Sequence, residues 1–222
     1  MANYLFAYGS LIESNSRKRT APKANQVFPA RIKGYIRGWF AKIPTNTIST
    51  TFLGCVDASN YDVQENHPSV NGVYFEVHLN DLDNLDKREA GYSRVKIEKD
   101  RIDDFENRLD NEDILWVYLN DFAKYQKELI ANVPNSNTPI VQSYVDICLN
   151  GCFEIEEKFN SAVKNKFLEE FIAETVYWNE HWVNDRIYPR RPFIYCPNAD
   201  KIDLALKKYL KDPQLMKHIK IE

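Results

Sequence analysis

The chain has 222 residues, of which 44% are hydrophobic and 13% aromatic, enough for one large domain with a buried core. Its net charge of -3 gives no electrostatic reason to expect a nucleic acid partner, and its uninterrupted apolar runs are too short to span a membrane. The N-terminus has neither a basic segment nor a cleavable apolar stretch, so no secretory signal is expected. We therefore expect a cytoplasmic protein that works without nucleic acid or membrane.

The cysteines and histidines predict neither a disulfide framework nor a metal site. No C-x-x-C occurs among the four cysteines, and the four histidines are scattered along the chain. Cys148 and Cys152 are four residues apart on a predicted helix, a spacing typical of core packing. We expect a reduced protein that needs no metal and no cofactor.

The first half of the chain predicts strands around one short helix. Apolar and β-branched residues indicate strands at residues 3–8, 26–43, 52–56, 70–79, 92–102 and 114–119. The second of these is long enough to be a bent strand or a hairpin, with Gly34 and Gly38 at the expected bends. Six strands so closely spaced favour a closed or nearly closed sheet.

The second half of the chain predicts helices. Thr138 can cap a helix with Pro139 at its first position, and an apolar stripe then includes Tyr144, Cys148 and Cys152. The ring of Tyr144 would be buried on this stripe, so its hydroxyl would need a partner.

Three further segments complete the chain. A second helix over residues 160–178 is expected to bury Val163, Phe167 and Phe171, and a last short helix covers residues 203–210. Between them, the basic residues 188–192 are most simply a surface strap. We expect an α+β fold in one domain, with a core at about residues 1–155 and a helical C-terminal extension at about residues 156–222.

The first strand ends in Tyr8-Gly9-Ser10, which predicts a tight loop. The backbone N–H groups of such a loop have no ladder partner and can hold an anion such as a carboxylate. An ordinary turn is the alternative, and no second glycine follows at the spacing of a dinucleotide or P-loop motif.

The helix predicted after the fourth strand segment carries an unusual acid. Leu82, Leu85 and Glu89 fall on one stripe at i, i+3 and i+7, so Glu89 shares the face that the leucines bury. Burial and the negative end of the helix dipole would both raise the pKa of Glu89 toward neutrality, which suits a general acid/base. In the alternative, Glu89 lies at the helix edge and pairs with Arg88 or Arg94.

Three segments of the chain resemble the γ-glutamylcyclotransferase-like superfamily, which includes the ChaC-type and AIG2-like proteins. Residues 5–11 (LFAYGSL) are similar to the F-x-Y-G-S-[NL] loop of that family, and residues 85–89 (LDKRE) to its L-D-x-x-E segment. Residues 144–151 (YVDICLNG) resemble its Y-x-x-I-x-x-x-G helix. The three segments follow one another in the family's order.

The resemblance implies a small mixed β-barrel with flanking helices, whose cavity binds a γ-glutamyl group. By that analogy the backbone of Tyr8, Gly9, Ser10 and Leu11 holds the substrate, Tyr144 contributes a hydroxyl, and Glu89 is the acid/base. The implied enzyme is a cofactor-independent cyclotransferase that releases 5-oxoproline from a γ-glutamyl amino acid, peptide or amine. The alternative is a non-catalytic protein of the same fold that binds a small molecule or has a regulatory role.

Two features depart from the common pattern of the family. The simple γ-glutamylcyclotransferases usually have asparagine at the position of Leu11, whereas Leu11 resembles the ChaC type. The resemblance therefore does not say which γ-glutamyl donor is the substrate. About 70 residues follow the last matching segment. They could cap the cavity, form the interface of a homodimer, or accept a larger substrate.

Overall fold

The computed structural model describes residues 1–24, 26–42, 49–60, 68–78, 81–82, 85–86, 92–120, 133–191 and 196–221. The strands are β1 (Asn3–Ala7), β2 (Phe28–Lys33), β3 (Tyr35–Lys42), β4 (Thr51–Asp57), β5 (Ser69–Glu76), β6 (Tyr92–Lys96), β7 (Ile102–Asp104), β8 (Ile114–Asn120), β9 (Ile140–Val141), β10 (Trp182–Asn184) and β11 (Lys220–Ile221). The helices are α1 (Ser14–Thr20), α2 (Gln142–Lys158), α3 (Asn160–Lys164), α4 (Phe167–Ala173) and α5 (Ala199–Tyr209).

The main sheet has six strands in the order β6-β8-β1-β5-β2-β7. Strand β1 pairs antiparallel with β5 and parallel with β8, so it lies inside the sheet. Both faces of β1 are covered, because Leu5 and Ala7 join one hydrophobic cluster while Phe6 joins another. An interior strand buried on both faces explains the continuous apolar run that begins the chain.

The expected barrel is wrong, although the α+β class is confirmed. Strand β2 passes into β3 through Gly34, whose φ of +78° turns the chain away from the main sheet. Strand β3 then pairs with β4 in a separate two-stranded ladder. Within the described residues, the two ends of the main sheet, β6 and β7, are not joined, so the sheet stays open.

Helix α2 begins later than predicted. Thr138 and Pro139 do not start a helix, since residues 140–141 pair as β9 with β10 and the helix begins at Gln142. The β-branched side chains of Ile140 and Val141 suit this short ladder and are fully buried. The expected burial of Tyr144, Cys148 and Cys152 on α2 is confirmed.

The helix predicted over residues 160–178 is broken in two. Lys166 adopts a left-handed backbone conformation between α3 and α4, which interrupts the helix. Phe167 and Phe171 are buried as predicted, whereas Val163 is 52% exposed, so its predicted burial is wrong. The last helix begins at residue 199, earlier than expected.

The C-terminal extension packs on the core. Phe171 of α4 and Leu206 of α5 belong to the same hydrophobic cluster as Leu149 of α2. Strand β10 lies between β9 and β11 in a three-stranded sheet that ties the extension to the beginning of α2. In the parts of the chain that the structure describes, no helix combines the length and apolar character needed to cross a membrane.

Candidate active site

The chain leaves β1 in a tight loop. Residues Ser10–Ile12 form a 3-10 turn in which Ile12 N–H donates to Gly9 O at 3.0 Å. Within the described residues, the N–H groups of Gly9, Ser10 and Leu11 donate to no acceptor. The predicted loop with free N–H groups is therefore present, and its donors are available to an anion.

Arg17 holds this loop from behind. Its guanidinium Nη1 donates to the carbonyl oxygens of Leu11 at 3.0 Å and Ile12 at 2.8 Å, and the side chain is buried. Because the two carbonyls are fixed toward Arg17, the turn keeps one orientation relative to β1.

Arg17 lies on α1, a helix that the sequence analysis did not anticipate. The seven residues of α1 (SNSRKRT) contain no apolar residue, so no helical periodicity marks it. The available signal was Glu13, whose side chain caps the helix by accepting a hydrogen bond from Ser16 N–H.

Helix α2 supports the loop from the other side. A Cβ built at Gly151 would lie 2.5 Å from the backbone nitrogen of Glu13, so only glycine allows the helix and the loop to approach this closely. The last position of the Y-x-x-I-x-x-x-G segment thus has a physical reason to be glycine.

Tyr144 projects from α2 to the loop. Its hydroxyl lies 3.1 Å from the position that a Cβ at Gly9 would occupy. The ring packs edge-on against Trp39 and Phe52, with centroids 5.9 and 5.0 Å apart. Burial raises the pKa of Tyr144 well above its ordinary value, and the nearby Arg191 and Ser10 side chains oppose this shift only in part. Tyr144 is therefore a neutral phenol.

The loop and Tyr144 line one cavity of about 240 Å³. All five side chains or backbones that the resemblance assigns to substrate binding are on its wall: Tyr8, Gly9, Ser10, Leu11 and Tyr144. At about 30 Å³ per water molecule, the space equals roughly eight waters, which suits a small polar metabolite or part of one. Whether these residues bind substrate stays a prediction.

The predicted acid/base, Glu89, lies outside the described residues. The described residues of that segment are helical at 81–82 and 85–86. Leu82 and Leu85 are 1% and 7% exposed, which confirms the apolar face, and Leu85 lines the cavity. The role of Glu89 stays a prediction.

A second carboxylate of this segment, Asp86, is hydrogen-bonded to neighbouring side chains. It accepts a hydrogen bond of 2.7 Å from the hydroxyl of Tyr118 and two of 3.0 Å from Arg94. The Tyr118 hydrogen bond, followed by Arg94, holds the pKa of Asp86 below its usual range. Such a carboxylate stays ionised at neutral pH and is unsuited to carrying a proton. Arg94, one of the two counter-charges considered for Glu89, pairs with Asp86.

Arg191 also lines the cavity, and sequence reasoning missed it. Its guanidinium carbon lies 5.4 Å from the ring centroid of Phe52 and 5.7 Å from that of Tyr144. The signal was the basic stretch 188–192, but a surface strap was the simpler interpretation. Tyr188 is 82% exposed, as expected of a surface strap, whereas Arg191 of the same stretch reaches the cavity wall.

In the described part of the chain, no three His, Cys, Asp or Glu side chains come together in a group that could hold a metal ion. The cysteines there are free thiols, and burial raises the pKa of Cys148 beside the cavity to about 12. The chemistry available among the described lining residues is therefore hydrogen bonding, one cationic group and apolar contact.

Solved structures with related folds include γ-glutamyl cyclotransferases. One titled γ-glutamyl cyclotransferase has a TM-score of 0.52 at 15% identity, covering 94% of this chain and 99% of its own. An uncharacterised human protein gives 0.48 at 16% identity, with 73% and 85% covered. A yeast γ-glutamyl cyclotransferase specific to glutathione gives 0.40 at 12% identity, with 74% and 90% covered. At 15% identity, the likeness to the first of these concerns the fold alone.

No curated protein matches the chain. The family model described as γ-glutamyl cyclotransferase, AIG2-like, matches residues 5–134, more than half of the sequence. The matched region includes the loop after β1 and the segment that contains Leu85 and Asp86. With this match the resemblance seen in the sequence is confirmed, and the chain belongs to the γ-glutamyl cyclotransferase, AIG2-like family.

Proposed function

We propose that this protein is a γ-glutamyl cyclotransferase that releases 5-oxoproline from a γ-glutamyl amino acid, peptide or amine. The observation that carries the proposal is the cavity itself. In a chain of this family, the Tyr8–Leu11 loop and Tyr144 come from distant segments and line the same small space. Family membership supports the class of reaction, and the lining residues support the kind of substrate.

The proposed reaction moves two protons between nitrogen atoms and exchanges one carbon–nitrogen bond for another. The α-amine of the donor is mostly protonated at neutral pH, so it must lose a proton before it attacks the γ-carbonyl. The new bond joins the α-nitrogen to the γ-carbon, and the bond from that carbon to the departing amine breaks. The α-nitrogen gives up a second proton as the lactam forms, and the departing nitrogen takes up both protons and leaves as an ammonium ion, so nothing is oxidised or reduced. One carboxylate can serve both steps, and we assign that role to Glu89.

The described residues supply binding and orientation for this reaction. The free N–H groups of Gly9, Ser10 and Leu11 can receive a carboxylate or a developing oxyanion. The neutral hydroxyl of Tyr144 is a further donor beside them. Because the ring closure is intramolecular, holding the glutamyl chain in a folded conformation already removes much of the entropic barrier.

The function is tested with purified protein and a panel of γ-glutamyl amino acids, peptides and amines, by assaying released 5-oxoproline. We expect turnover of at least one donor, and loss of roughly 100- to 10,000-fold in kcat for Glu89→Gln, the range typical of a lost general acid/base. Ligand binding and folding should persist in this variant.

Asp86→Asn is the matched control, because it removes a carboxylate from the same segment. Asp86 is tied to Tyr118 and Arg94, so we expect this variant to retain most of the wild-type rate. Equal losses in the two variants would contradict the assignment of Glu89. Binding of γ-glutamyl compounds without any 5-oxoproline would contradict the enzyme and support the non-catalytic alternative.

A further inference from the structure

We propose that Arg191 binds a carboxylate of the substrate in this cavity. The identity of the ligand as a γ-glutamyl compound rests on the proposed function. That Arg191 binds an anion at all is inferred from its own contacts, independently of the proposed function.

The guanidinium of Arg191 has no acceptor among the described residues. No carboxylate and no carbonyl oxygen there receives a hydrogen bond from it, although it is partly buried. Its recorded contacts are the rings of Phe52 and Tyr144, which it faces at 5.4 and 5.7 Å. Ring contacts of this kind leave the N–H groups free to donate elsewhere.

Other partly buried arginines of the protein are paired. Arg31 contacts Asp103 and Glu170, Arg101 contacts Asp57, and Arg186 contacts Asp146 and Asp203, at distances between 2.6 and 2.9 Å. A desolvated guanidinium needs acceptors, and the more deeply buried Arg17 and Arg37 also have them, from neutral oxygens such as the carbonyls of Ile12 and Asn71. Among the described residues, Arg191 has no such acceptor and lines the cavity.

The described lining of this cavity carries no acid. Its polar groups are hydroxyls and backbone N–H groups, and Arg191 bears the single formal charge among them. The loop N–H groups and the guanidinium thus give the described part of the lining several hydrogen-bond donors for an anion. A planar guanidinium also matches a carboxylate with two parallel hydrogen bonds.

The backbone of Arg191 is fixed by a buried polar network. Its N–H donates to the hydroxyl of Ser143 at 3.3 Å, and that hydroxyl donates to Asp185 at 2.7 Å. Asp185 also accepts the N–H of Arg190 at 2.6 Å and is 1% exposed. The network holds the backbone N–H groups of Arg190 and Arg191, so less conformational entropy is lost when an anion binds.

A γ-glutamyl amino acid offers two carboxylates, the α-carboxylate of the glutamyl group and the carboxylate of the departing amino acid. Three ligands separate them: γ-glutamylalanine, γ-glutamylalaninamide, which lacks the second carboxylate, and the α-carboxamide of γ-glutamylalanine, which lacks the first. Binding is measured by calorimetry in the Glu89→Gln background, and 5-oxoproline release with Glu89 present.

We expect Arg191→Met to weaken binding of γ-glutamylalanine roughly 10- to 100-fold, the range for a lost hydrogen bond to a charged group. The ligand that lacks the relevant carboxylate should bind both forms equally. If wild type and Arg191→Met bind γ-glutamylalaninamide equally well, Arg191 contacts the carboxylate of the departing amino acid. If they bind the α-carboxamide equally well, Arg191 contacts the α-carboxylate of the glutamyl group.

Arg190→Met is the matched control, because the neighbouring arginine donates from an exposed position to the carbonyl of Ser49 and does not line the cavity. It should leave all three affinities unchanged. An equal effect of Arg191→Met on all three ligands, no effect on any, or the same effect from Arg190→Met would each overturn the inference.

The two proposals fail separately. Carboxylate-dependent binding that requires Arg191, without 5-oxoproline from any donor, would refute the cyclotransferase and leave the anion site standing. Turnover that is indifferent to Arg191→Met would refute the anion site and leave the cyclotransferase standing. Absence of both binding and turnover would refute both.

Discussion

The cavity has two walls of different construction. The loop wall, residues 8–13, is held by Arg17 on the carbonyls of its turn and by the close approach of Gly151. The strap wall, residues 185–191, is held by two buried carboxylates: Asp185 accepts the N–H groups of Ser143 and Arg190, and Asp146 pairs with Arg186. The first is a local turn pressed between two helices, and the second is a distant segment attached through hydrogen bonds. We therefore expect substitutions in the two walls to have different effects on stability and activity.

The largest effect on stability is expected at the strap wall. Asp185 accepts the N–H and the hydroxyl of Ser143, both at 2.7 Å, and thereby caps the N-terminus of α2 from another segment. Asp185→Ala leaves the N–H groups of Ser143 and Arg190 without acceptors. At about 1–3 kcal/mol for each, we expect a loss of roughly 2–5 kcal/mol in the free energy of unfolding, measured by urea denaturation.

Asp185→Asn is the control for this prediction, since it keeps one acceptor oxygen at the same place. We expect a smaller loss than for alanine. If both variants were as stable as the wild type, the strap wall would be held by something other than this carboxylate.

The two walls also differ in what the sequence could reveal. The loop wall follows an apolar strand and contains a recognisable Y-G-S-L segment, so its position was predictable from local pattern. The strap wall depends on Asp185 meeting Ser143, 42 positions away in sequence, and no periodicity announces such a contact. Sequence reasoning therefore found Tyr144 and Gly9 and missed Arg191.

The difference between contacts that are local in sequence and contacts that are distant also explains which parts of the fold were predicted wrongly. Strand formation by β-branched and aromatic residues was predictable for β1, β4, β5 and β8, because it depends on neighbours in sequence. Closure of the sheet depends on which strand edges meet, and Gly34 decided that by turning β3 into its own ladder. Helix α1 carries no apolar stripe, so its cap was the sole local signal.

The second-largest loss of stability is expected from a substitution beside the loop wall. Gly151→Ala adds a methyl group 2.5 Å from the backbone nitrogen of Glu13, and neither the helix nor the turn can relieve this by rotating a side chain. Overpacking of this kind costs about 1–3 kcal/mol, although alanine alone should favour the helix by roughly 1 kcal/mol. We expect a net loss of stability in denaturant unfolding and a higher KM, because Glu13 moves the turn that carries the loop N–H groups.

Glu157→Ala is the control, because residue 157 is an exposed position of the same helix. It should change stability by no more than about 0.5 kcal/mol. A Gly151→Ala protein as stable and active as the wild type would show that α2 does not press on the loop as closely as the structure indicates.

The smallest effect is expected where the two walls meet, at Tyr144, which touches both the loop and Arg191. Tyr144→Phe keeps the ring contacts with Trp39 and Phe52 and removes the hydroxyl beside Ser10. One lost hydrogen bond corresponds to roughly a tenfold loss in kcat/KM, less than for Glu89→Gln.

The pH dependence distinguishes a binding hydroxyl from a proton carrier at Tyr144. Burial raises the pKa of Tyr144 well above its ordinary value, so the hydroxyl stays protonated from pH 6 to pH 9. The ratio of wild-type to Tyr144→Phe kcat/KM should therefore be constant across that range. A ratio that changed with pH, or a loss larger than that of Glu89→Gln, would make Tyr144 the acid/base and would move the chemistry from the 85–89 segment to helix α2.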